Sequence, residues 1–78
     1  LTNYLILKPD IMAILKVIEV LSNSKKSWED AASNAVKEAH KTVKNIVSVN
    51  VNNFSITVND GKPHEYRVNV KITFAVGK

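Results

Sequence analysis

The sequence predicts an α+β domain of order β-α-β-β, a three-stranded antiparallel sheet packed on one helix. Three observations predict it. The stretch from Ser27 to Ile46 combines a capping serine with apolar residues at helical spacing. Two alternating runs, 46–58 and 64–76, flank an Asp60-Gly61 turn signal. A β-branched run, Ile14–Leu21, precedes the helix.

The strand before the helix, ILKVIEVL, has its alternation broken only by Lys16 and Glu19, which point to opposite faces. That pattern predicts a strand buried on both sides. A polar turn follows at 22–26. Ser27 then caps the helix: its hydroxyl is placed to accept from the amide of Asp30, and Asp30 to reach back to the cap amide as a short-armed capping box. Glu29 and Asp30 oppose the positive end of the helix dipole, while Lys41 and Lys44 complement its negative end. Trp28, Ala31, Ala32, Ala35, Val36, Ala39 and Val43 form the inward stripe. Four of these are alanine, which lets a helix lie close on a sheet. Asn45, tolerant of the left-handed conformation, is the expected end.

In the last strand His64, Tyr66, Val68, Val70, Ile72, Phe74 and Val76 share one face. The preceding strand slips phase between Val51 and Phe54, which calls for a β-bulge at Asn52-Asn53. A two-residue Asp60-Gly61 loop would set Ile56 against Glu65 and mix the faces. The expected connection is therefore a three-residue loop, Asn59-Asp60-Gly61, with Ile56 opposite His64 and Phe54 opposite Tyr66. The other face of the hairpin carries Ser48, Asn50, Ser55, Thr57, Arg67, Asn69, Lys71 and Thr73, a set rich in amides and hydroxyls.

With 78 residues the chain is one small domain, and such a domain buries only roughly 60% of its unfolded surface. Small scaffolds are commonly stapled by disulfides, metal or oligomerisation. The absence of cysteine removes disulfides and thiolate metal sites. His40 and His64 are too few for a metal-held fold. Oligomerisation is the expected staple. The net charge of +4 comes from ten scattered lysines and Arg67; Lys37, Lys41 and Lys44 share a solvated helix face, so a nucleic-acid partner is not expected. No apolar run is long enough for a membrane span and no secretory signal is evident, which is compatible with a cytoplasmic setting. Pro9 separates residues 1–11 from a domain beginning at Met12. This N-terminal extension is either non-native sequence ahead of the domain or an extra edge strand, Tyr4–Leu7, docking on a neighbour.

No catalytic constellation emerges, so enzymatic activity is not expected. There is no phosphate loop or nucleophile elbow. His40 lies at the edge of the helix stripe. Glu29 and Asp30 are explained by capping, and Glu19 by pairing with a lysine or Arg67. Trp28 is an anchor in the core or at a subunit contact.

From Met12 to Val76, KVIEV (16–20), SWEDA (27–31), NAVKEA (34–39), KT (41–42), NI (45–46) and DGK…YRVNVKITF (60–74) together resemble the dodecin family. The resemblance implies a homododecameric shell that stores flavin, FMN or riboflavin, without turning it over. It also implies a tryptophan stacked on the flavin ring and a glutamine on its edge. Ser48 and Arg67 stand at those two positions here. Ser48, Arg67, Asn50 and Asn69 are then the expected ligand-binding set, with flavin affinity weakened. The alternative is a flavin-free structural or ion-binding assembly.

Overall fold

The computed structural model describes residues 14–77. The expected break at residues 1–11 and the extra strand at Tyr4–Leu7 lie outside the described residues. Three strands, β1 (Ile14–Ser24), β2 (Ile46–Asn59) and β3 (Lys62–Val76), and one helix, α1 (Trp28–His40), follow in the order β1-α1-β2-β3. The antiparallel sheet has the order β1-β3-β2, so among the described residues the strand β3 is central and the other two are edges.

The core is where the alanine stripe of α1 meets β3. Ala31, Ala35, Val68, Val70 and Ile72 are buried, with Ile18, Val20, Trp28, Ala32, Ala39, Ile46 and Val49 packed around them. Leucine or phenylalanine at Ala31 or Ala35 would hold the helix away from the sheet. The capping serine acts as expected: Asp30 N donates to Ser27 Oγ at 2.9 Å. The reciprocal arm does not. The carboxylate of Asp30, one methylene shorter than the glutamate of a full capping box, instead accepts from Ser24 Oγ at 2.7 Å. Ser24 Oγ in turn accepts from Lys26 N at 2.9 Å. Ser24, the last residue of β1, is the one buried polar side chain among the described residues. It locks the end of β1 to the start of α1.

The helix stops at His40, short of Asn45. Thr42 and Val43 still donate back to Ala39 O, at 3.1 and 2.8 Å, but the chain then unwinds through β-branched residues that favour extension. Asn45 does take the left-handed conformation, φ 62°, as the pivot into β2. Lys41 therefore caps the helix and pairs with Glu38 at 3.1 Å on the surface, while Lys44 lies beyond the helix.

The hairpin loop has two residues, not three. Asp60 (φ 55°) and Gly61 (φ 74°) form it, with Asn59 paired to Lys62. The face conflict this creates is resolved in β3: between the pairs Val58–Pro63 and Ile56–Tyr66, two residues, His64 and Glu65, oppose Thr57. The hydroxyl of Thr57 takes the place of main chain there, accepting from Glu65 N at 2.9 Å and donating to Glu65 O at 3.4 Å. Ile56 thus faces Tyr66 and Phe54 faces Val68, two residues beyond the expected register. The bulge at Asn52 is present, between Val51 and Asn53, and a further one absorbs Val47.

The expected two-sided burial of β1 is not met among the described residues. Ile18 and Val20 pack toward the helix, while Leu15, Val17 and Leu21 are 59%, 54% and 62% exposed. The helix covers one side of the sheet, and among the described residues nothing covers the other.

Two outcomes follow for the helix start. Ser27→Ala should lower stability by about 1 kcal/mol in chemical denaturation, through loss of the cap. Ser24→Ala probes the other link. The Ser24 hydrogen bond, helped by Lys26 and Asn34, holds the Asp30 carboxyl below its ordinary value against a smaller opposing desolvation. A depressed acid contributes stability above its unfolded pKa and loses it as pH falls through the folded one. The destabilisation caused by Ser24→Ala should therefore be present at neutral pH and narrow as pH falls below about 4.

Candidate functional site

The face of the sheet away from α1 is assembled from alternate residues of all three strands. In register across it lie Asn23, Arg67 and Ser55; Leu21, Asn69 and Asn53; Glu19, Lys71 and Asn50; and Val17, Thr73 and Ser48. The bulge at Asn52 keeps this set on one side, because it flips the phase of β2 between Asn50 and Asn53. Along β1 the face mixes Val17 and Leu21 with Glu19 and Asn23; along β3 and β2 it is made of amides, hydroxyls, Arg67 and Lys71.

The four expected ligand residues all lie on this face, but one chain does not bring them together. Ser48 is level with Thr73, six residues along β3 from Arg67, which separates the two by about 20 Å. Asn50 is level with Lys71, between them. Ser48 and Asn50 are exposed, Arg67 and Asn69 half-buried.

Arg67 is held in a relay. Its Nε donates to Asn23 Oδ1 at 2.9 Å, and Asn23 Nδ2 donates to Glu65 Oε1 at 3.2 Å. Glu19, expected to pair with a lysine or Arg67, lies level with Lys71 and is exposed, with no ion pair to either within 4 Å. An amide thus stands where a carboxylate would have neutralised the guanidinium. Two residues along, Asn69 Oδ1 is buried and accepts no hydrogen bond. An orphaned buried acceptor is costly unless something outside the chain donates to it. Asn23 went unnoticed in the sequence because only the register of β1 against β3 sets it beside Arg67.

Among the described residues no aromatic ring stands on this face. The described aromatics, Trp28, Phe54, Tyr66 and Phe74, belong to the helix side, where Trp28 meets Phe54 and Tyr66 edge-on at centroid distances of 5.5 and 5.1 Å. Trp28 Nε1 also donates to Ser55 O at 3.0 Å, fixing the start of α1 to β2. An open apolar cleft of about 490 Å³ lies there, lined by Trp28, Glu29, Ala32, Val51 and Phe54. It is on the opposite side of the sheet from Ser48 and Arg67. Among the described residues no three His, Cys, Asp or Glu side chains gather into a metal cluster. No helix is long and apolar enough to cross a membrane.

This fold, a long bulged hairpin with one short helix, is that of a small-ligand-binding family. The dodecin family model matches residues 14–77, and the chain belongs to the dodecin family. A calcium dodecin from Mycobacterium tuberculosis is 32% identical over 63 residues, which cover 81% of this chain and 89% of that relative. The structure of dodecin from Streptomyces coelicolor superposes with a TM-score of 0.77 at 25% identity, over 83% of this chain and 93% of that one. The crystal structure of the M. tuberculosis calcium dodecin, described as calcium-chelating with a novel calcium-binding site, superposes with a TM-score of 0.75 at 29% identity and the same coverage.

Replacing Ser48 by tryptophan restores the residue that the resemblance to flavin-binding dodecins implies at this position. Ser48→Trp together with Arg67→Gln should increase the quenching of riboflavin fluorescence over the unaltered chain, by about tenfold or more in affinity if stacking and ring burial are both regained.

Proposed function

We propose that this chain is the subunit of a homododecameric, non-enzymatic dodecin shell that holds a small ligand at contacts between copies, with flavin binding weakened. The observation that carries the reading is the split of the ligand face. Ser48 and Arg67 share a face but lie about 20 Å apart in one chain, so a ligand touching both positions must sit where copies meet. The uncovered apolar residues support the assembly. Nine large apolar side chains are exposed among the described residues, against five buried apolar ones, of which two are alanine. An interface between copies is what such a balance favours.

A second reading is a flavin-free assembly that holds an ion. The similarity to a calcium dodecin favours it, as does the replacement of the stacking position by Ser48. Calcium prefers oxygen ligands, including amide and main-chain carbonyls. Asn50, Asn53 and Asn69 provide such oxygens, and contributions from several copies would complete a coordination shell.

Two measurements test these readings. Light scattering or sedimentation should show a large assembly; a monomer near 8.7 kDa would contradict the shell. Titrating the protein into FMN or riboflavin should give weak quenching, and strong stoichiometric quenching would overturn the weakened site. Colourless protein containing calcium by elemental analysis would select the ion-holding reading.

A further inference from the structure

We infer that the edge of β1 is a docking surface for the segment that precedes it in the same chain: residues 1–8 add a fourth, antiparallel strand there, through a turn at Pro9-Asp10. The run that seats it is Tyr4–Leu7, YLIL. The family match begins at residue 14, so this strand is an addition to the shared fold.

Of the two outer strands, β1 is the one suited to accept it. Its pairing with β3 runs for 11 residues, Ile14 to Ser24, without a register shift. The pairing of β2 carries three. An unbroken edge is a straight template for another strand, and a bulged one is not. The start of β1 is also where apolar surface is left over. Ile14, Leu15 and Val17 are 55%, 59% and 54% exposed. Ile14 lies on the helix side, Leu15 and Val17 on the other. A cover laid on either face would miss part of this set, whereas a strand beside β1 flanks both faces at once.

The segment is joined to β1 at Ile14, and the sequence supplies the reversal. In Lys8-Pro9-Asp10-Ile11, Pro9 presets the backbone for the second position of a type I turn and Asp10 suits the third. Lys8 is then opposite Ile11, which sets Leu5 opposite Ile14, Tyr4 opposite Leu15 and Thr2 opposite Val17. Each pair shares a face, so Leu5 extends the helix side and Tyr4 the other. Pro9, with no N–H to give, stands in the turn rather than in the ladder. Eight strand residues span about 26 Å, which covers the exposed start of β1. A connection this short closes at small entropic cost, and that favours the chain's own edge over the edge of a second copy.

Two measurements test the proposal, and neither depends on whether the shell forms. In the unaltered chain, hydrogen exchange read by mass spectrometry should show the amides of residues 4–7 exchanging about tenfold or more slowly than in a free peptide of residues 1–11. The chain has no cysteine, so Tyr4→Cys combined with Leu15→Cys offers one disulfide only. Opposed strand residues lie within bridging distance. Under mild oxidation the bond should form within one chain, giving a single-chain band without reductant and the mass expected for loss of both thiol hydrogens. Thr2→Cys with Val17→Cys should link in the same way and serves if the first pair fails to fold. Exchange at the free-peptide rate would overturn the proposal. A disulfide joining two chains would also overturn it, by assigning the segment to a neighbouring copy. So would protected amides with no disulfide in either pair, since another surface would then hold the strand.

Discussion

The structure is governed by a mismatch in length. Helix α1, with 13 residues, spans about 20 Å, whereas β3, with 15 residues, spans about 50 Å. One short helix therefore covers less than half of one side of its own sheet. Where it does cover, packing is close, because Ala31 and Ala35 place almost no side chain between the helix and Val68, Val70 and Ile72. Beyond its ends Phe54, Ile56 and Val58 on one side of the middle, and Ile14 and Val47 on the other, stay open to solvent. An interior this small leaves most of the apolar surface to be buried by something outside the chain.

The same mismatch leaves the two sides of the sheet with different chemistry. Phe54 and Tyr66 gather around Trp28, on the covered side, and tie the helix start to the hairpin. The face behind them is free of that duty and carries amides, hydroxyls and a held guanidinium. This division explains why Trp28, the sole tryptophan, is no substitute for a ring-stacking residue at Ser48. The sheet itself lies between them.

Much of this was legible in the residues because it follows from local periodicity. The alanine stripe, the Ser27 cap and the bulge at Asn52 each depend on side chains a few positions apart. What escaped were devices that act across strands. The alternation of β3 from Tyr66 onward follows from spacing, and so does the need to keep Ile56 off the face of Glu65. The chain meets it with two residues opposite Thr57 rather than with a longer loop, and no spacing rule distinguishes those solutions. Likewise Ser24 and Asn23, at the end of β1, gained their roles only once the strand was paired: one reaches Asp30 across the turn, the other reaches Arg67 across the sheet. Their polarity, in a segment legible only as a turn, carried no signal of either contact.

The three irregularities in the hairpin bear on a hazard as well as on register. With order β1-β3-β2, both outer strands lack a further pairing strand among the described residues. A long, flat, apolar edge is a template on which strands add without limit. Three phase changes within the pairing of β2 and β3 bend and twist that edge locally, so an incoming strand cannot run straight along it. The same irregularities that set the faces of the hairpin therefore also blunt β2 as a template for open-ended strand addition.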